Sequence, residues 1–193
     1  RKMLNITFQK TFNFLLIFTV PLAIATFILG EKIMVFLAGD EFIVAGQILR
    51  LLIIATIAIY FKALFGYTIA AANLQKKMIK FYLIDSIITL TLYFIFIPFY
   101  GFWAAAILTI FSEIFILIFA YYLIRKNLDL KPKFALLKPV LIATLVMAGA
   151  IAFSYQQNII IIAVFGFLVY LSVLFLLLGA SWKKVLPNLE KYV

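Results

Sequence analysis

The 193-residue sequence contains no cysteine and no histidine. These absences exclude disulfides, thiolate nucleophiles, Cys/His metal sites and acid–base catalysis by histidine. Acidic residues are scarce, with 7 Asp and Glu against 17 Lys and Arg, and the formal net charge is +10. The side chains that remain favour binding and transport over covalent chemistry. We therefore expect a protein that is not an enzyme, without catalytic residues, metal or cofactor.

Apolar side chains are abundant: 67% of the residues are hydrophobic and the mean hydropathy is +1.21. Soluble domains contain only about 45–50% apolar residues, so a water-soluble fold could not bury this much apolar surface. A positive charge of this size would suggest nucleic acid as the partner of a soluble chain. Here, however, most basic residues lie in short gaps between apolar runs, where they act as topology signals, and we expect no nucleic acid.

Six apolar runs approach or exceed the roughly 20 residues that a helix needs to cross a bilayer. The absence of strand alternation excludes a barrel, and an open sheet would leave its edges unsatisfied in lipid. The sequence therefore predicts an all-α polytopic membrane bundle over residues 1–193. Because the chain begins at Arg1 without a signal peptide, we expect it to be a fragment of a longer protein. The predicted spans are 11–29, 46–72, 79–97, 102–124, 136–153 and 159–179.

Lysines and arginines occupy alternate gaps between these runs, and fourteen of the seventeen lie in four gaps. The intervening gaps hold only Lys32. Since positive charge is enriched on the cytoplasmic side of membrane proteins, the pattern predicts that both termini are cytoplasmic. The four basic gaps contain Arg1, Lys2 and Lys10; Lys76, Lys77 and Lys80; Arg125, Lys126, Lys131, Lys133 and Lys138; and Lys183, Lys184 and Lys191.

Two features interrupt the first helical region. Pro21 lies in the middle of the first span, where it should kink the helix, and the kink is either a hinge or plain curvature. Residues 31–47 follow that span and contain acids, Gly39 and a short apolar run. We interpret residues 31–47 as a hairpin or half-helix on the outer surface, with its acids in water.

Four charged residues lie inside the predicted spans, where an ionisable group costs about 2.5–3.5 kcal/mol at the bilayer centre. Lys62 is paired with Glu113 or Asp85, or its side chain snorkels along the helix, or it is a cationic contact for an anionic substrate group in a central cavity. Arg50 is an interfacial anchor or a second such contact. Asp85 and Glu113 are either structural partners or carboxylates that couple transport to an ion gradient.

Three stretches resemble the polysaccharide-transport family of the multidrug/oligosaccharidyl-lipid/polysaccharide exporter superfamily, whose members are oligosaccharide flippases. Residues 97–106, IPFYGFWAAA, continue to Ser112 and Glu113 in the manner of the family's IP-x-YG-x-x-GAA…SE stretch. The other two are VPLA at 20–23 followed by VFLAGDEF at 35–42, and AAANLQKK at 70–77. Ala104 stands where a glycine is common, and Asp85 and Thr89 lie near the place of a frequent asparagine.

The resemblance implies the C-terminal part of a transporter in which two helical bundles enclose a cavity with alternating access. Such proteins move oligosaccharide linked to undecaprenyl pyrophosphate across the bacterial cytoplasmic membrane for O-antigen, capsule or exopolysaccharide synthesis. The implied partners are this lipid-linked substrate, membrane lipids and the N-terminal half of the same protein. Lys62 and Arg50 are then the candidate substrate-binding residues. Three alternatives stay open: a drug/cation antiporter of the same superfamily, a membrane-embedded glycan polymerase or ligase, and a non-catalytic scaffold subunit.

Overall fold

A computed structural model describes residues 2–179, so Arg1 and the C-terminal basic cluster of Lys183, Lys184 and Lys191 lie outside the described residues. Within this range the chain is helical and contains no strand. A 3₁₀ turn, Asp40–Phe42, joins the first two of five helices. The helices are α1 Lys2–Ala38, α2 Ile43–Ala71, α3 Gln75–Leu128, α4 Leu137–Phe153 and α5 Ile159–Leu178.

Four elements of the described chain are each long and apolar enough to cross a membrane: α1, α3, α5, and α2 together with the turn before it. Helix α4 is apolar but has only 17 residues. The chain is thus an all-helical protein with the character of a multi-pass membrane protein. The predicted spans 79–97 and 102–124 both fall within α3, and α1 continues nine residues beyond the predicted end of the first span at residue 29.

Helix α3 folds back on itself at Gly101. This residue has φ 55° and ψ −134°, a conformation that is essentially restricted to glycine. The Tyr93 hydroxyl lies 2.9 Å from the Thr109 hydroxyl, and the Phe81 and Phe119 rings stack with centroids 4.3 Å apart. In a straight helix, residues 81 and 119 would be about 57 Å apart at 1.5 Å per residue. Residues 75–100 and 102–128 are therefore antiparallel arms of a helical hairpin.

Helix α1 contacts both parts of the protein. Its first half packs Phe8, Phe12 and Leu16 into one apolar core with α2 and α3. Its second half contributes Leu29 to another core, made mainly by α4 and α5. Helix α1 therefore connects the core that it forms with α2 and α3 to the core made mainly by α4 and α5.

Pro21 lies inside α1, which continues without a break to Ala38. Proline has no backbone N–H, so the carbonyl of Ile17, four residues earlier, has no helical donor. The Tyr170 hydroxyl of α5 donates to this Ile17 carbonyl at 2.6 Å. Tyr170 itself is 2% exposed, so a buried polar group freed by proline is satisfied by a neighbouring helix.

Polar contacts bring most of the basic gaps to one end of the bundle, here called the basic end. Gln9 exchanges two 2.8 Å hydrogen bonds with the backbone of Lys133, which joins the start of α1 to the α3–α4 connection. Lys77 donates to the Asn127 side chain at 2.6 Å, so the two ends of α3 meet there. At the opposite end, the Lys32 ammonium donates to the Tyr155 carbonyl and lies 4.2 Å from the Tyr155 ring centroid.

Candidate functional site

Lys62 of α2 and Glu113 of α3 form an ion pair across the interface between these helices. The two side chains are 25% and 19% exposed, so both charges are largely removed from solvent. Of the two partners predicted for Lys62, Glu113 is the one it contacts. Ion pairs strengthen as the surroundings become less polar, and this one joins α2 to the second arm of α3.

Asp85 lies opposite the second arm of α3 and is 8% exposed. The Ser112 hydroxyl donates to its Oδ2 atom at 2.7 Å, and the Thr89 hydroxyl lies 3.4 Å from its Oδ1 atom. Among residues 2–179 no lysine or arginine forms an ion pair with Asp85. Asp85 is therefore a buried carboxyl group held only by hydroxyls.

Arg50 forms its ion pair with Glu31 of α1, at 2.9 Å. Its second terminal nitrogen donates to the Ile28 carbonyl at 3.3 Å, while its buried Nε has no hydrogen-bond partner within the described range. Both side chains are about 30% exposed. Glu31 was predicted to lie in water on an outer-surface hairpin or half-helix, but it belongs to helix α1 and is paired with Arg50 across the α1–α2 interface.

Gly46 allows α1 and α2 to approach closely beside the Arg50–Glu31 pair. A Cβ atom at Gly46 would lie 2.4 Å from the Glu31 Cα, and one at Gly30 would lie 2.8 Å from the Gly46 carbonyl oxygen. Backbone contact of this kind is typical of small residues at membrane helix interfaces. The sequence contains no pair of glycines four residues apart, and the two glycines that meet here belong to different helices.

The structure divides the predicted site residues into two groups. Measured along their helices, Lys62 and Asp85 each lie about 15 Å from the basic end. Ser112 and Glu113 are neighbours on the same turn of α3. Ser112 contacts Asp85, and Glu113 contacts Lys62, so these residues form one polar layer. Arg50 is twelve residues before Lys62 in α2, about 18 Å away, and belongs to a separate pair.

Pro21 lies apart from both charged groups. It lines an apolar cavity of about 360 Å³ between α1, α4 and α5, together with residues such as Leu22, Met147 and Phe167. Neither Lys62 nor Arg50 lines this cavity. The predicted substrate cations and the predicted hinge therefore belong to different parts of the molecule.

Three contributing residues were not predicted as site residues. Glu31 was missed because it follows the apolar run of α1, and Gly46 because its importance depends on a neighbouring helix. Ser112 was noted only within a motif, although a hydroxyl one residue from a charge inside an apolar helix is itself a signal of interhelical hydrogen bonding.

No family model, curated protein or solved structure matches this chain.

Proposed function

We propose that this chain is the C-terminal part of a flippase of the polysaccharide-transport family. The flippase moves undecaprenyl-pyrophosphate-linked oligosaccharide across the bacterial cytoplasmic membrane by alternating access. The observation that carries the proposal is the polar layer of Lys62, Glu113 and Asp85 at mid-depth of an apolar helical bundle. The three motif stretches, which occur in the order seen in that family, support the same proposal.

In this proposal the chain crosses the membrane six times, with both termini in the cytoplasm. The fold-back at Gly101 supports two crossings by α3. The basic end would face the cytoplasm, where lysine and arginine are enriched in membrane proteins. The crossings of α1, α2, α4 and α5 complete the six.

A sugar pyrophosphate cannot cross hydrocarbon alone, because its charges and hydroxyls would lose their hydration, whereas the polyprenyl tail can stay in lipid. In the proposed mechanism the Lys62 ammonium exchanges its bond to Glu113 for one to the pyrophosphate. Glu113 holds the ammonium in position before substrate arrives, so the cation is never buried alone. Arg50 and Glu31 form a second exchangeable pair nearer the opposite end.

The test is complementation of a flippase-deficient strain with the full-length protein. Wild type should restore surface polysaccharide, and Lys62→Ala together with Glu113→Ala should abolish it at normal membrane abundance. The paired substitution is needed because Lys62→Ala alone leaves the Glu113 charge unpaired and confuses loss of function with loss of stability. Failure of wild type to restore any glycan would contradict the transport assignment.

A drug/cation antiporter of the same superfamily is the second candidate, and Asp85 is the observation that favours it. A buried carboxyl group held by hydroxyls alone is available to a proton or to a cationic substrate. Asp85→Asn keeps the size and the hydrogen-bonding capacity of this side chain. If this variant removes cation-dependent efflux while the Lys62 and Glu113 double variant does not, the antiporter becomes the better assignment.

A further inference from the structure

One face of the second arm of α3 carries a row of aromatic side chains that ends in a lysine at the basic end. Phe111, Phe115 and Phe119 are spaced four residues apart, Tyr122 follows one turn later, and Lys126 one turn after that. Residues three or four apart lie on the same face of a helix, so the five side chains form one row. We refer to this row as the aromatic stripe. It extends about 22 Å along the helix.

Ring contacts run along the aromatic stripe and join it to the first arm of α3. The ring centroids of Phe111 and Phe115 are 5.9 Å apart, and those of Phe115 and Phe119 are 4.7 Å apart. Phe81 of the first arm stacks on Phe119, so the stripe borders the seam of the hairpin. Phe111 and Tyr122 are 41% and 50% exposed. The stripe is therefore accessible from outside the hairpin.

The aromatic stripe lies on the side of α3 that faces away from α2, its main helical neighbour in the described part of the chain. Phe115, Tyr122 and Lys126 lie about 140–180° around the helix from Glu113. The Glu113 side chain meets Lys62 of α2. The stripe is therefore a surface separate from the Lys62–Glu113 pair.

Two ammonium groups lie at similar depth beside the aromatic stripe. The Lys126 ammonium donates to the Tyr122 hydroxyl at 3.2 Å and lies 5.5 Å from the centroid of that ring. The Lys80 ammonium of the first arm lies 5.1 Å from the centroid of the Phe81 ring. Because Phe81 meets Phe119 and the arms are antiparallel, Lys80 lies within one helical turn of Tyr122 along the bundle.

No acidic side chain within residues 2–179 forms an ion pair with either of these lysines. Asp129 is the nearest acid in sequence, and it pairs with Lys131 at 3.5 Å. Lys76, Lys77 and Arg125 add three more exposed cations where the two arms of the hairpin end. This end of the hairpin therefore has an excess of positive charge and attracts anions.

From this arrangement we infer that the aromatic stripe binds an anionic phospholipid of the surrounding membrane. Lys80 and Lys126 contact the headgroup phosphate, and one acyl chain lies along the phenylalanine rings. The helix length from Lys126 to Phe115 is about 16 Å, close to the roughly 15 Å depth of one hydrocarbon leaflet. Cations beside apolar membrane helices are suited to anionic lipid headgroups. The site requires only that the chain spans a membrane, so it is independent of the transported substrate.

The chemistry of the stripe favours this ligand over two others. A soluble anion would contact the lysines but leave the exposed rings of Phe111 and Tyr122 uncovered. A zwitterionic phospholipid would cover the rings, but it brings a cation of its own next to the lysines. An anionic phospholipid is negative at one end and apolar along the rest, which complements both parts of the stripe.

Photo-cross-linking of the full-length protein in nanodiscs tests this site. The probe is phosphatidylglycerol with a diazirine on one acyl chain, titrated into a phosphatidylcholine bilayer, and labelled residues are mapped by mass spectrometry. Wild type should be labelled within residues 111–122. Replacing Lys80 and Lys126 together by glutamine should raise the probe concentration for half-maximal labelling about tenfold or more, because two cations near the headgroup are lost.

Three controls accompany this measurement. Lys133→Gln together with Lys138→Gln removes the same charge from the α3–α4 connection and the start of α4, and should not change the labelling. A phosphatidylcholine probe with the same chains should label residues 111–122 much more weakly. Excess glycerol phosphate, which carries the headgroup charge without acyl chains, should not displace the phosphatidylglycerol probe.

Four results would overturn the inference. Unlabelled residues 111–122 in wild type would mean that another part of the protein covers the stripe. Equal labelling by the two lipid probes would mean that bulk lipid merely solvates it. Unchanged labelling after the Lys80 and Lys126 substitutions, or equal weakening by the Lys133 and Lys138 substitutions, would remove the headgroup contact. Displacement by glycerol phosphate would identify a soluble anion as the ligand.

Discussion

Each charged residue among the candidate site residues in the apolar helices has a partner of suitable chemistry. Lys62 is paired with Glu113, Arg50 with Glu31, and Asp85 accepts from the Ser112 hydroxyl. Pairing is the general condition for placing charge away from water. These contacts determine which substitutions separate a structural role of Lys62 from a substrate-binding role.

We predict that Lys62→Met or Glu113→Leu alone lowers the stability of the protein more than the double variant Lys62→Met/Glu113→Leu. Each single change leaves one charge unpaired, at a cost toward the lower end of the roughly 3–5 kcal/mol typical of buried pairs. The double change removes both charges and should recover most of this loss. Thermal unfolding in detergent measures the difference. If the stability loss of the double variant equals the sum of the two single losses, the ion pair contributes nothing to stability.

A second prediction concerns Pro21 and Tyr170. Tyr170→Phe should lower stability by about 0.5–2 kcal/mol, because the Ile17 carbonyl loses its donor. In a Pro21→Ala background the backbone N–H that alanine restores can satisfy this carbonyl, so the same Tyr170→Phe change should have a smaller effect. A double-mutant cycle of unfolding free energies measures the coupling. Equal effects of Tyr170→Phe in both backgrounds would mean that the hydroxyl does not compensate for the proline.

For the helices and turns, the sequence correctly predicted an all-helical chain with long apolar helices, but not where its helices end. Hydropathy ended the first span near residue 29 because Glu31 and Lys32 follow. Helix α1 nevertheless continues to Ala38, since Glu31 is neutralised by Arg50 and Lys32 is held at Tyr155. Such compensation depends on other helices and is invisible to a local hydropathy pattern.

The choice of partner for Lys62 could not be predicted for a related reason. Both Asp85 and Glu113 lie at a depth in the predicted spans at which they could pair with Lys62. Which of them does so depends on how the two arms of α3 rotate after the turn at Gly101. Ser112 and Glu113 are adjacent in sequence but lie about 100° apart around the helix, so one contacts the first arm and the other contacts α2.

The α1–α2 crossing yields a third prediction with a matched control on the same helix. Gly46→Ala should destabilise the protein by about 1–3 kcal/mol, because the added Cβ meets the Glu31 backbone at 2.4 Å. Gly66→Ala has no neighbouring atom within 4 Å and should be neutral or stabilising by up to about 1 kcal/mol. Unfolding midpoints of the two variants provide the comparison. If Gly46→Ala is as stable as Gly66→Ala, the helices are not in backbone contact there.

For the whole molecule, α1 is the helix shared by both apolar cores, and the basic end collects lysines from several connections. The alternation of basic gaps along the sequence anticipated this clustering. In the proposed function the basic end faces the cytoplasm.

Thiol labelling of intact cells tests the proposed orientation, and the absence of cysteine from this chain makes single cysteine variants informative. In a full-length protein without other cysteines, Gln157→Cys in the α4–α5 connection should react with a membrane-impermeant maleimide. Lys131→Cys in the α3–α4 connection should react only after the membrane is permeabilised. The opposite pattern would reverse the topology, and labelling of both variants in intact cells would contradict six crossings.

We propose that the full-length protein moves lipid-linked oligosaccharide across a bilayer by means of the polar layer around Lys62. The most direct measurement is translocation of fluorescent undecaprenyl-pyrophosphate-linked oligosaccharide in proteoliposomes, read by protection of the label from an external quencher. Wild type should accelerate translocation, and the Lys62→Met/Glu113→Leu double variant, reconstituted in equal amount, should not. Translocation by the wild type no faster than in protein-free liposomes would contradict the claim, and equal rates for wild type and double variant would remove Lys62 from the mechanism.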